Sequence, residues 1–324
     1  MDTVSHLLRL ARLEASLDKR CLLGGSTRMD VAPHAVRQAP FHILLEGTCR
    51  FETGGTTLDL RPGDVVIVPR GGPHRVTTPG HGAVNGVTET PGTAFATTRS
   101  DDAGVPVIDL FCGHFTFGAG AGAILFDSLP EPLHVSFGQS PETDGVLRML
   151  STLMRDEAAR DSDGTAAILS ALCTALLAMM LRTSRGCVTD ASLWTAVPDE
   201  RIGQAIARIV SNPGDDWSIE RLARDAAMSR ATFIRRFVRA TGLTVGAFLA
   251  RIRLMTASEL LLTTDSTIAT IAGSVGYQSE SAFSRSFRGA TGMTPARFRK
   301  APGLGAKDST SPTRRPVGSA TSGR

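Results

Sequence analysis

No stretch of this 324-residue chain approaches ~20 uninterrupted apolar residues, so no membrane span is expected. The opening MDTVSHLLRLARLEASLDKRC carries charges throughout and does not read as a secretory signal. Cysteine is scarce: Cys21, Cys49, Cys112, Cys173 and Cys187. Their number is odd and their spacings fit no zinc pattern, which favours reduced thiols in a cytoplasm over a disulfide framework. Charged residues make up 20% and hydrophobic residues 42% of the chain. That is the composition of an ordinary globular protein, and the length leaves room for two domains with cores of their own.

The charge is unevenly spread. Residues 1–198 hold 16 Lys/Arg against 21 Asp/Glu, whereas residues 199–300 hold 15 against 9. An acidic front and a basic back point to a polyanion as partner for the back half, with a merely solvated basic surface as the alternative.

The texture changes along the chain in the same sense. Residues 1–18 carry Leu7, Leu8, Leu10, Leu13 and Leu17 on one broad stripe and predict a single amphipathic helix. From about 21 to 137, short β-rich runs such as FHILLEG and DVVIVP alternate with Gly/Pro turns, predicting a small antiparallel barrel or sandwich. The Gly- and Thr-rich stretch 79–105 reads as a long loop. Residues 142–183 predict two long helices broken near Asp161–Gly164, the second apolar around most of its circumference. Such a helix must pack on the barrel and on something more, and a second copy of the chain is the economical partner. The expected organisation is thus a β-barrel domain with flanking helices over 1–140, a helical dimerisation segment over 141–185, a linker over 186–198, an all-helical domain over 199–300, and a disordered tail over 301–324. The fold class is α+β.

One sentence is written twice. Residues 229–242 read SRATFIRRFVRATG and residues 279–292 read SESAFSRSFRGATG, fifty positions later. Each copy has a Ser suited to cap a helix, two Phe four apart on one face, and a closing Gly. A shorter helix precedes each, IERLARDAAM after Ser218 and IATIAGSVGY after Thr267. Two short helices with a tight turn, the second carrying outward Arg, describe a helix-turn-helix. Paired Phe are explained as core; Arg235 and Arg285 at equivalent outward sites are not. Between the copies, VGAFLARIRLMTASELLL predicts one continuous helix of roughly 27 Å, a strut that can hold two recognition helices about one duplex turn apart.

Residues 199–300 resemble the DNA-binding domain of the AraC/XylS family of bacterial transcription regulators, most specifically in IAGSVGYQSESAFSRSFRGATGMTPARFR. The resemblance implies that Ala231, Ile234 and Arg235 in the first copy, and Glu280, Ser281, Ser284 and Arg285 in the second, touch base edges. Arg is the commonest reader of guanine. Ala231 and Ile234 cannot hydrogen-bond to bases, so the first copy reads thymine methyls or mainly anchors. Ser229, Arg236, Arg253, Ser279 and Arg288 are expected on the phosphate backbone, setting register.

The front half also carries a resemblance. In GDVVIVPRGGPH, Gly63 is followed by Pro69, Gly71 and His74 at the spacing of the second cupin motif, whose His ligates metal. The first motif departs from the pattern: His34 stands in its first His position, but Val36 and Pro40 replace the next two ligands. His34, His42 and His74 could converge on an effector or a metal, although a lone barrel His is more often structural. The N-terminal text, with FHILLEG, LRPGDVVIVP and FCGHFTF, is similar to the reactive-chlorine-responsive regulators of the same family, which implies a sensing cysteine at Cys21. Lys19 and Arg20 precede it, and cations favour the reactive thiolate. The second cysteine of that group is replaced here by Asp109, so a Cys21 disulfide needs Cys112, Cys49 or another chain. A buried, inert Cys21 is the plain alternative. Cys173 reads as core.

The reading is therefore a cytoplasmic, sequence-specific DNA-binding regulator, expected to be an activator, without enzymatic activity or resident cofactor. It is expected to bind double-stranded DNA as a homodimer, to engage RNA polymerase, and to respond to an oxidant through Cys21 and Cys112 or to a small molecule in the barrel. The rival is a metal-dependent cupin enzyme with an appended DNA-binding domain, which metal analysis of His34, His42 and His74 variants would separate.

Overall fold

The computed structural model describes residues 2–81, 83–101, 104–137, 141–182 and 199–301. The expected linker 186–198, Cys187 and the expected tail after Ala301 lie outside the described residues.

The first helix is shorter than its leucine stripe predicts. Helix α1 (Thr3–Ala11) is capped by the Asp2 carboxylate and ends at Arg12, whose φ of 49° turns the chain left-handed. Leu13 and Leu17 do not continue it, because Glu14–Leu23 forms strand β1. That strand pairs with Ala96–Ser100 on one side and Ile108–Thr116 on the other, and pairing along both edges outweighs the local amphipathic pattern. Strands β2 (Arg28–Val31), β3 (Gln38–Glu46), β4 (Cys49–Thr53), β5 (Thr56–Leu60), β6 (Asp64–Ile67) and β7 (His74–Thr77) follow. The stretch 79–105 is not one loop. It contains β8 (Val87–Thr90) and β9 (Ala96–Ser100), whose Thr-rich texture hid a hairpin. Strand β10 (Ile108–Thr116), helix α2 (Ala121–Asp127) and strand β11 (Leu133–Ser136) complete the region.

The strands form two sheets that do not close into a barrel. One runs β11-β6-β3-β10-β1-β9-β8 and the other β2-β7-β4-β5. Pairing is antiparallel except between β1 and β9, which are parallel. Alternation puts two cores on the two faces of the larger sheet. Leu44, Val66, Leu110 and Cys112 face the smaller sheet and meet Met29, Phe51, Leu60 and Val76. Phe41, Ile43, Val65, Phe111 and Phe115 face the helices.

Helices α3 (Pro141–Arg160) and α4 (Thr165–Arg182) break at Asp161 and Gly164, both with positive φ. The Asp161 carboxylate accepts the Thr93 and Ala94 amides, tying the break to the β8–β9 hairpin. Among the described residues α4 is the one helix that by length and composition is apolar enough to cross a membrane. It sets Leu169, Cys173, Leu176, Leu177, Met180 and Leu181 into the core against β1.

The remaining helices are α5 (Glu200–Ser211), α6 (Ile219–Asp225), α7 (Arg230–Thr241), α8 (Val245–Thr263), α9 (Ile268–Ser274), α10 (Glu280–Thr291) and α11 (Pro295–Lys300). The repeat is visible in three dimensions. Phe237 packs edge-on against Phe248 (5.5 Å, 79°), and Phe287 against Phe298 (5.2 Å, 80°). The two turns differ in two respects: the first is a residue shorter, and it puts Ala227 at φ 51° where the second uses Gly276 at φ 88°.

Candidate functional site

Helices α7 and α10 present one face to the core and one to solvent. Phe233, Phe237, Phe283 and Phe287 are buried, while Ala231, Arg235, Glu280, Ser281, Arg285 and Arg288 are exposed and Ile234 and Ser284 half-buried. Ser229 and Ser279 cap the two helices, accepting the Thr232 and Ala282 amides at 3.2 Å. Helix α8 holds the pair apart over about 28 Å.

Two arginines expected on phosphates have protein partners. Arg236 pairs with Asp199 at 2.9 Å. Arg253 donates to the carbonyls of Pro213 (2.9 Å) and Asp215 (3.1 Å), and its guanidinium fills the space a side chain at Gly276 would need. Arg253 therefore braces the first helix-turn-helix against the second.

In the front domain the structure joins four sequence candidates into one buried chain. Cys21 Sγ lies 3.5 Å from Cys112 Sγ, and Cys112 Sγ lies 3.2 Å from His42 Nδ1. His42 Nε2 meets His74 Nε2 at 2.7 Å, and His74 Nδ1 reaches the Gly72 carbonyl at 3.0 Å. That carbonyl fixes the protons throughout. It can only accept, so His74 Nδ1 donates and, in the neutral ring, His74 Nε2 accepts. His42 Nε2 must then donate, leaving His42 Nδ1 to accept the Cys112 thiol proton. Burial, with the neighbouring His74 and His34, holds His42 well below the usual imidazole range, and burial lowers His74. Burial and then the Cys21 thiol push Cys112 well up.

Of the alternatives left open for Cys21, Cys112 is the one whose thiol it touches; the Cys49 thiol is pushed up to about 12 by burial and then Asp64. The cations expected to activate Cys21 are themselves paired, Lys19 with Glu89 and Arg20 with Asp109. Asp109 fills the position of the missing second cysteine with an ion pair.

His34 is not a link of this chain; its ring stacks beside His74 at 6.4 Å and tilts against His114 at 5.7 Å. His114 hydrogen-bonds Asp18 at 2.7 Å. Among the described residues no three His, Cys, Asp or Glu side chains are arranged to hold a metal ion. His42 and His74 spend their Nε2 atoms on one another, so the donor set does not fit the cupin metal. An open cavity of about 600 Å³, lined by Asp30, Glu52, Thr57, His74 and Arg75, borders the chain.

Sequence reasoning missed Met29, 3.8 Å from Cys21 Sγ, and Phe51, which packs on both His42 and His74. Both sit on strands of the smaller sheet, and nothing local marks them as neighbours of Cys21.

Residues 2–184 match the cupin family model and residues 222–301 match the helix-turn-helix domain model. The chain is 30% identical to an HTH-type transcriptional regulator of Haemophilus influenzae, over 94% of this chain and 100% of that protein. It is 29% identical to the HTH-type transcriptional regulator MtrA of Neisseria gonorrhoeae, over 93% of this chain and 98% of that one. It is 28% identical to RclR of Escherichia coli, an RCS-specific HTH-type transcriptional activator, over 93% and 98%. With a cupin domain in front and the doubled helix-turn-helix behind, the chain belongs to the AraC family of DNA-binding transcription regulators.

Proposed function

We propose that this regulator senses a two-electron oxidant through the Cys21–Cys112 pair and activates transcription in response. The observation that carries the reading is the buried contact of the two thiols with a neutral imidazole on the far side of Cys112. Hypochlorous acid converts one thiol to a sulfenyl chloride with loss of water, and the other sulfur displaces chloride to form the disulfide. The Cys112 proton leaves to His42 Nδ1. Cellular thiols reverse the change.

On the output side, Ala231, Ile234, Arg235, Glu280, Ser281, Ser284 and Arg285 read bases of double-stranded DNA, while Arg288 and the capping Ser229 and Ser279 meet phosphates. Arg253 is a brace and is not carried into this contact set. The working form is a homodimer in the cytoplasm that engages RNA polymerase, with the domain boundaries given above. The chain acts as a regulator and not as a cupin enzyme, in keeping with relatives named as regulators. A small-molecule signal is the second reading, favoured by the open cavity beside His74.

The test is a DNA titration of the full chain at fixed salt, reduced and after mild hypochlorite, with Cys21→Ser as control. An oxidation-dependent shift that Cys21→Ser abolishes is expected. Coincident curves for reduced and oxidised protein would remove the thiol switch and leave the cavity ligand.

A further inference from the structure

Cys21 and Cys112 are not directly opposed. In the β1–β10 register Cys21 faces Leu110 and Cys112 faces Lys19, so the thiols meet along a diagonal. Diagonal Cα atoms on antiparallel strands lie roughly 7–8 Å apart. A disulfide holds its Cα atoms roughly 4.4–6.8 Å apart. Closing the bond therefore needs β1 to slide along β10, with Cys21 moving toward the level of Lys19.

An ion pair on the opposite face resists that slide. Arg20 faces Phe111 and Asp109 faces Leu22, and the guanidinium grips the carboxylate through bonds of 3.0 and 2.7 Å. This diagonal slopes the other way, so the movement that shortens the cysteine pair lengthens the ion pair. The bulge between Leu17 and Lys19 lies next to both and is where β1 can take up the change.

Both strands run almost directly into helices that touch the DNA-binding domain. Arg12 and Leu13 alone separate α1 from β1, and residues 117–120 separate β10 from α2. Because α1 precedes β1 and α2 follows the antiparallel β10, the slide would displace the two helices in opposite directions along the strands. Helix α1 packs on α5 and α8, while α2 packs on α8 and α10. Arg12 Nε meets Glu259 of α8 at 3.1 Å. Gly120 is seated so closely that a Cβ there would lie 2.4 Å from Ser258 Cβ and 2.8 Å from Phe298 Cζ. The sensory domain thus reaches α5, which packs on α7 of the first helix-turn-helix, and α10 of the second. The recognition faces stay exposed in this arrangement, so the contact is not a steric block.

We propose that α1 and α2, held by Arg12–Glu259 and by the Gly120 seat on Ser258 and Phe298, form a joint that converts disulfide closure between Cys21 and Cys112 into a change in the angle between α7 and α10. Resting as it does on the thiol-pair reading, it is tested with two separate readouts. The full chain is treated with one equivalent of hypochlorous acid. Peptide mapping by mass spectrometry then scores the Cys21–Cys112 bond, and titration with a duplex selected by the full chain from a random library scores affinity.

In the parent, bond formation should shift affinity about five-fold or more, the usual scale of coupling between sites. Arg12→Glu should form the same bond and lose most of the shift, and adding Glu259→Arg should restore it. Gly120→Ala, which crowds the seat without touching charge, should also uncouple bond from affinity. If Arg12→Glu and Gly120→Ala keep the parent's shift, the joint is overturned while the thiol switch stands; if the parent forms the bond with no shift, the switch and the joint both fall. If no bond forms in the parent, the thiol-pair reading fails and the joint falls with it.

Discussion

The Nδ1 of His42 lies 3.2 Å from the Sγ of Cys112, at the acceptor end of a proton order set by the Gly72 carbonyl. This order requires His42 and His74 to stay neutral, and burial depresses both. An imidazole whose folded value is depressed stabilises the fold above its unfolded value of about 6.5, and that stability is lost as pH falls below it, because the unfolded chain takes up the proton first. Each such ring contributes a slope of up to about 1.4 kcal/mol per pH unit. Thermal unfolding from pH 7.5 down to pH 5 should therefore show steadily falling stability, and His42→Gln should flatten the curve. An unchanged slope in the variant would mean that His42 takes up its proton alike in the folded and unfolded chain.

The thiols should sort into two classes by their partners, since burial pushes Cys112 up as well but sets it 3.5 Å from Cys21 and 3.2 Å from the His42 acceptor. Cys49 and Cys173 are pushed up to about 12, chiefly by burial. At pH 8 their thiolate population is about a thousandth or less of that of an ordinary cysteine. In folded protein treated with mild hypochlorite, oxidation at Cys49 and Cys173 should be negligible while Cys21 and Cys112 convert together. Mass spectrometry after alkylation in denaturant reads all four. Equal oxidation of Cys49 would show that the paired geometry confers no selectivity.

The DNA-binding half was legible in the sequence because its information is local. Ser229, Gly242 and the Phe pairs are caps and core positions within one helix, and the fifty-residue repeat supplied an internal check. The site in the front half was legible only as candidates. Cys21, His42, His74 and Cys112 come from four strands in two sheets, and strand partners are set by long-range pairing. The bulge at Asp18 shows why simple alternation misleads. Ala15 and Leu17 face the helices, yet Cys21 and Leu23, also odd-numbered, face the smaller sheet. One extra residue turns β1 over, and nothing in LEASLDKRCLL announces it. The same long-range pairing ended α1 at Ala11.

Arg288 and Arg253 should separate by salt dependence. Arg288 is exposed on α10, and Arg288→Ala should reduce the slope of log affinity against log salt by about one. Arg253 has carbonyl partners on the Pro213–Asp215 turn. Arg253→Gln should leave the slope in place and destabilise the domain by about 1–3 kcal/mol, the cost of hydrogen bonds from a charged group. Arg285→Ala should instead relax discrimination at one base pair by about 1–3 kcal/mol. Titrations at several salt concentrations, with melting curves alongside, distinguish the three roles.

The dimer surface should lie on α3 rather than around α4. The whole segment 141–185 is expected to pair chains, and within it the large side chains of α4 are largely taken up by the core. Helix α3 instead buries Ser151, Met154 and Ala158 and leaves Val146, Met149 and Leu153 outward at i, i+3 and i+7, with Met149 64% exposed. Single exposed apolar residues are common on protein surfaces, but three on one helical stripe form a patch suited to a second copy of the chain. A charge on this stripe costs little in the monomer, since the side chain already meets water, and much in a dimer, where it would be buried without a partner. Met149→Asp with Leu153→Asp should therefore shift the sedimentation of the full chain to that of a monomer, leave its melting temperature at low concentration unchanged, and weaken binding to a two-half-site duplex far more than to a single half-site. A variant that still sediments as a dimer would move the interface to another surface.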